Sequence, residues 1–271
     1  MKKILILAAV FCCIAGVSAK ELKVLMIGNS FSNSVKQYLP KVTESGKKHT
    51  LILGSASIGG CSLMKHCANI DKEQKDPKFN AYRFTMTGEK QRKSSITESL
   101  KYKKWDIVTI QQVSHQSYKK EMTREYAAKL IAYIRKLAPQ AEIVIHQTWA
   151  YRTDNERLNN DYFITQANMF QLLKQNYDEI AGKIGARILP VGEAYRLFQL
   201  MTGDTVGELT RRPDGPSHAN ELGEMIGGMI WANILCGIDV DNINFKPEAV
   251  DEKYMPLAKA AAKAAIAQYN R

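Results

Sequence analysis

The chain has 271 residues, a formal net charge of +11 and 45% hydrophobic residues. That hydrophobic content excludes a disordered segment, and the length is sufficient for one sizeable core. The lysines are scattered rather than clustered, which reads as a solubilising surface or, more sharply, as attraction to anionic polymers; no nucleic-acid motif accompanies them, so no nucleic-acid partner is expected.

Residues 1–19 have the three parts of a secretory signal: Lys2 and Lys3, an apolar run over 4–17, and the small-residue site Val17-Ser18-Ala19. Cleavage after Ala19, export to the periplasm or medium, and one domain over 20–271 are the expectations. The bulky Phe11 before Cys12 and Cys13 argues against a lipid anchor. The apolar run is shorter than the roughly 20 residues of a membrane span and nothing downstream matches it, so no stable membrane insertion is expected.

A short apolar run at 22–27 ends at Gly28 and passes through polar turn residues into a helical pattern carried by Val35, Tyr38, Leu39 and Val42. Further strands are predicted near 49–53, 106–111, 142–147 and 186–190. Helices are predicted over 123–138, closed by Pro139, over 163–184, from about 220 to 236, and over 258–268. Residues 77–93, rich in Lys, Arg and Thr, read as a long surface excursion. Near-continuous Val, Ile and Leu strands separated by helices indicate a parallel sheet covered on both faces. The expected fold class is therefore α/β, a three-layer α/β/α sandwich around a mostly parallel five-stranded sheet. In such sheets ligands bind beyond the carboxyl ends of the strands.

Of the cysteines beyond residue 19, Cys61, Cys67 and Cys236 form no CxxC pair, so no metal site is expected. A Cys61–Cys67 disulfide and free thiols remain equally open.

Ser30, in Gly28-Asn29-Ser30-Phe31-Ser32, lies on the turn between a strand and a helix, where the free N–H groups of the helix start favour a developing oxyanion. Its alternative role is a helix cap. Near the other end, Arg211-Arg212-Pro213-Asp214-Gly215-Pro216-Ser217-His218 precedes a long apolar helix. A serine hydroxyl needs a base, and a carboxylate fixes that imidazole's tautomer. After the fourth strand, Trp149, Tyr151 and Arg152 suit the rim of a pocket for a sugar or acidic polysaccharide, or else packing beneath a loop.

Taken together, these blocks resemble the SGNH, or GDSL-like, hydrolase family, and specifically exported bacterial variants whose first block reads like Ile27-Gly28-Asn29-Ser30-Phe31-Ser32. The resemblance implies a flavodoxin-like sandwich in which Ser30 is the nucleophile, with Asn29 in place of the usual aspartate. It implies that Gly60, within Ser57-Ile58-Gly59-Gly60-Cys61-Ser62, lends its N–H to the oxyanion hole. It also implies that Asp214 and His218 complete the triad, with three residues between them where the family has two. The family's third block supplies an asparagine to the oxyanion hole. Here the strand runs into Gln111-Gln112-Val113-Ser114-His115, so Gln112 or His115 is left to donate.

The implied activity is serine esterase chemistry through an acyl-enzyme, with an acylated carbohydrate the favoured substrate and no cofactor. The rival expectations are a non-catalytic carbohydrate-binding protein on the same fold, a lipid or thioester hydrolase and, more weakly, a phosphate-binding module that would lack a Gly-rich cradle.

Overall fold

The computed structural model describes residues 20–46, 49–203, 209–210 and 217–269. The expected signal over 1–19 and Asp214 lie outside the described residues. Seven strands, β1 (Lys20–Gly28), β2 (His49–Ser57), β3 (Tyr82–Met86), β4 (Arg92–Ser94), β5 (Ile107–Ile110), β6 (Glu142–His146) and β7 (Ile188–Leu189), form one sheet in the order β4-β3-β2-β1-β5-β6-β7. The five strands β2, β1, β5, β6 and β7 are parallel, with Gly28 opposite Ser57 and Ile27 opposite Ile110.

The helices are α1 (Ser30–Lys36), α2 (Leu39–Glu44), α3 (Leu63–Lys75), α4 (Ile96–Lys101), α5 (Ser114–Ser117), α6 (Lys120–Leu137), α7 (Glu156–Asn160), α8 (Gln166–Ile184), α9 (Val191–Thr202), α10 (Glu221–Cys236) and α11 (Met255–Tyr269). Strand side chains alternate between the faces, so Val24 and Met26 join one core and Leu25 and Ile27 the other. The first core is covered by α1, α2, α9, α10 and α11, the second by α3, α4, α6 and α8. The protein is thus an α/β/α sandwich. Helix α10 is buried on nearly every side, which is why its sequence is apolar throughout. No described helix is long and apolar enough to cross a membrane.

The long excursion expected over 77–93 is instead part of the sheet. Strands β3 and β4 add an antiparallel hairpin to the β2 edge, burying Tyr82, Phe84 and Met86 on one face while Arg83 and Thr85 point to the other. The single helical pattern expected after Gly28 is two helices. Pro40 sits in the first turn of α2, where its missing N–H costs nothing, but it could not continue α1. Cys61, Cys67 and Cys236 are free thiols.

The parallel strands follow the order 2-1-3-4-5, and the direction of winding reverses between β1 and β5. Loops leaving the carboxyl ends of those two strands diverge to opposite faces and open a crevice. Ser30 and Gln111 immediately follow them.

Candidate active site

Gly28 ends β1 at a place where no side chain fits: a Cβ there would lie 2.4 Å from Ser32 Oγ and 3.2 Å from Gln111 Cδ. Asn29 then caps α1, its Oδ1 accepting from the N–H of Phe31 at 3.0 Å. Ser30 therefore occupies the first helical position and is partly exposed. Seven residues make a helix too short to stand alone. Phe31 and Val35 anchor it in the core, where Val35 meets α10 at Gly227.

His218 reaches Ser30 from a position 188 residues away, with Nε2 2.8 Å from Ser30 Oγ. Its backbone is held on both sides. Trp149 Nε1 donates to the carbonyl of Ser217 at 2.9 Å and Asn155 Nδ2 donates to Ser217 Oγ at 3.4 Å. Beyond it, Ala219 is buried and Asn220 caps α10. The His218 ring meets Phe31 edge-on, with centroids 6.0 Å apart. Its other nitrogen, Nδ1, is buried and has no hydrogen-bond partner among the described residues.

Beneath Ser30 lies a buried polar chain. His146 Nδ1 is 2.7 Å from Gln111 Oε1, and Ser32 Oγ donates to that same oxygen at 2.6 Å. Gln111 Nε2 donates to Asn29 Oδ1 at 2.7 Å, and Asn29 Nδ2 donates to the carbonyl of Cys61 at 3.0 Å. Because Gln111 Oε1 can only accept, His146 carries its proton on Nδ1. Burial pushes its pKa down to about 3, so the ring is neutral. The chain ties the ends of β1, β5 and β6 to the loop containing Gly60. The sequence places Gln111 and His146 just after strands, among the residues expected to line the site, but assigns them no role and reads Asn29 only as a replacement. The available signal was a run of polar residues directly after apolar strands.

Gly60 sits in the left-handed region, φ 59°, in a turn closed by Cys61 N donating to Ile58 O at 3.2 Å. The loop is exposed, and among the described residues the N–H groups of Ser30 and Gly60 meet no acceptor. Cys61, next in sequence, is no rival nucleophile: it is buried, and desolvation pushes its thiol up to about 12.

The other expected site residues are placed differently. Gln112 is fully buried, with Oε1 accepting from Leu63 N and Val113 N at 2.9 Å each and Nε2 donating to Met122 O at 2.7 Å. Its amide is a strut between α3, α5 and α6, not an oxyanion donor. His115, on α5, lies parallel to Tyr162 at 6.5 Å and makes no hydrogen bond or ring contact with Ser30 or His218 among the described residues. Burial, with Lys119 and Arg157 nearby, lowers its pKa.

Trp149 is 1% exposed and stacks on Phe31 at 4.0 Å and on Tyr195 at 4.9 Å, so little of its ring is free for a sugar. Tyr151 is equally buried, its hydroxyl 2.7 Å from Ser114 Oγ. Tyr151 packs beneath the loops, whereas Trp149, though buried, borders a cavity of about 320 Å³ together with Phe170, Tyr195 and Arg196. Arg152 is largely shielded and pairs with Asp154 through Nε at 2.9 Å. No group of three or more His, Cys, Asp or Glu side chains suited to a metal occurs among the described residues.

Comparison with known proteins places this architecture. A DUF4886 family protein from Bacteroides uniformis is similar at 28% identity with a TM-score of 0.80, over 93% of this chain and 97% of that one. A candidate SGNH hydrolase from Slackia heliotrinireducens shares the fold at 19% identity and a TM-score of 0.54, over 79% of this chain and 98% of its own. No curated protein matches the sequence. The family model described as a domain of unknown function, DUF4886, matches residues 23–265. The chain belongs to the DUF4886 family.

Proposed function

We propose that the protein is an exported serine esterase that hydrolyses acyl esters through a covalent acyl-enzyme, with an acylated carbohydrate as the substrate class. The observation that carries the reading is the 2.8 Å approach of His218 Nε2 to Ser30 Oγ, nucleophile to base. The fold shared with a candidate SGNH hydrolase supports it.

In this mechanism the Ser30 proton passes to His218 Nε2 as Oγ attacks the ester carbonyl carbon. The carbonyl oxygen becomes an oxyanion held by the N–H groups of Ser30 and Gly60. Collapse breaks the C–O bond, and His218 returns the proton to the departing alcohol. A water then attacks the acyl-enzyme, giving its proton to His218, and the acid leaves as Ser30 regains its hydrogen. Asp214 is proposed to accept from His218 Nδ1–H. The rival reading as a sugar-binding protein is less well supported, since Trp149 is 1% exposed and already stacked on Phe31 and Tyr195.

Hydrolysis of p-nitrophenyl acetate tests the proposal. Ser30→Ala and His218→Gln should each lower turnover by about a thousandfold or more, as expected when members of one nucleophilic unit are removed. Wild-type rates in either variant would overturn it. Recovery of protein beginning at Lys20 from outside the cytoplasm tests the proposed export.

A further inference from the structure

Beside Ser30, on the face of the sheet that carries α1, the cover of helices stops short of β3. The space between α1 and the strands β2 and β3 is a cleft of about 280 Å³. Asn33, Lys36, Ser55, Ser57, Arg83 and Thr85 line it; every lining side chain is polar and none is acidic. The register explains why. Ser55 lies opposite Thr85 and Ser57 opposite Arg83, so these four side chains share one face. Asn33, one helical turn beyond Ser30, closes the near end by donating to Ser57 Oγ at 3.4 Å. Ser57 also ends β2 just before the loop that carries Gly60, and Asn33 lies on the same helix as Ser30, so the cleft lies beside the candidate nucleophile.

Its charge is unbalanced in two ways. Lys36 is half-buried, and its ammonium donates to a neutral partner, Thr85 Oγ1 at 2.6 Å, with no carboxylate paired to it among the described residues. Desolvation lowers its pKa. A cation withdrawn from water without a counter-charge is costly. At the outer end, Arg83 stands directly opposite Lys93 on β4, a like-charge cross-strand pair that by itself destabilises the hairpin. An anion bound between α1 and β3 offsets both, and the surrounding hydroxyls and amides suit a ligand rich in hydroxyl groups.

We propose that this cleft binds an oxyanion group, carboxylate or sulfate, on the carbohydrate whose acyl ester is presented to Ser30. The inference rests on the esterase reading for its substrate but not for its binding chemistry. A protein lacking the nucleophile tests it separately.

Ser30→Ala protein is titrated calorimetrically with an oligogalacturonate, with dextran sulfate and with neutral dextran. At least one anionic probe should bind about tenfold or more tightly than neutral dextran, and more weakly as sodium chloride is raised. Which of the two binds better distinguishes carboxylate from sulfate. Adding Arg83→Met, an exposed position that leaves the core intact, should remove most of that preference, and Lys36→Met with Arg83→Met should abolish it. Lys259→Met with Lys263→Met, which lowers the net charge equally on the terminal helix, should leave it in place. Equal binding of anionic and neutral probes, or a preference that survives loss of Lys36 and Arg83, would overturn the proposal. So would an equal loss in the Lys259 and Lys263 control. If instead the anionic preference holds while wild-type protein hydrolyses no ester, the cleft stands and the esterase reading falls.

Discussion

Gln111 Nε2 donates to Asn29 Oδ1 at 2.7 Å, joining the ends of β5 and β1 directly beneath Ser30. Asn29 also accepts from Phe31 N and donates to Cys61 O, so its amide serves as cap, strand tie and loop anchor together. An aspartate could fill the first two roles but has no hydrogen for Cys61. Asn29→Asp should therefore leave a buried carbonyl unsatisfied and place a charge where the native side chain is 1% exposed. We expect a loss of about 1–3 kcal/mol in urea unfolding, with turnover falling as the Gly60 loop loosens. Unchanged stability and activity would show that the Cys61 bond is dispensable.

Two buried histidines make stability sensitive to acid. His66, bonded through Nδ1 to Tyr82 OH at 2.8 Å, and His146 both have pKa values pushed down to about 3 by burial, from 6.5 when solvated. The unfolded chain binds these two protons as pH falls through 6.5, whereas the folded chain resists them until about 3. Their contribution is thus fully present above pH 6.5 and lost below it. The slope should approach 2.7 kcal/mol per pH unit for the pair, at about 1.4 for each proton. Urea melts between pH 6.5 and 5 measure it. His66→Gln should remove about half of the slope, and an undiminished slope would refute the assignment.

The local placement of Ser30, Gly60 and His218 is legible in the sequence, because punctuation marks a strand end, a glycine turn and a helix start at those points. The core faces of β1, β5 and β6 were legible for a similar reason, since apolar runs of that length have few other uses. The chain from His146 through Gln111 to Asn29 was not, because it exists only once β1, β5 and β6 are neighbours. The alternation of Tyr82, Phe84 and Met86 with Arg83 and Thr85 is a strand pattern, but its basic, Thr-rich surroundings resemble a loop, and only pairing with β2 fixes it. Trp149 and Tyr151 show the limit of composition. Aromatics after a strand suit a rim or an interior equally well, and the neighbours that decide, Phe31, Tyr195 and Ser114, are remote in sequence.

In the proposed mechanism Trp149 acts as a positioning residue, through its hydrogen bond to Ser217 O. Trp149→Phe keeps an aromatic ring between Phe31 and Tyr195 but deletes the hydrogen bond to Ser217 O, next to His218. Stability should fall by about 1 kcal/mol, the net value of one such bond. Turnover of p-nitrophenyl acetate should fall about tenfold with little change in KM, as expected when a base is displaced by a fraction of an ångström. A sugar-stacking role predicts the opposite pattern: an unchanged rate on this small ester and a raised KM on acylated glycans alone.

Asp214 is the residue proposed to fix the tautomer of His218. In a serine–histidine pair the imidazole must hold its proton on Nδ1 so that Nε2 is free to accept, and a carboxylate at Nδ1 enforces that tautomer. His218 Nδ1 is buried and without a partner among the described residues, so the requirement is a specific one. Asp214→Asn would present an amide that can donate to Nδ1 and favour the wrong tautomer, lowering kcat by about three to four orders of magnitude while leaving KM near its original value. Asp214→Ala removes the carboxylate without imposing a tautomer and should be the less damaging change. Turnover close to wild type in both variants would remove Asp214 from the mechanism and leave Ser30 and His218 working as a dyad.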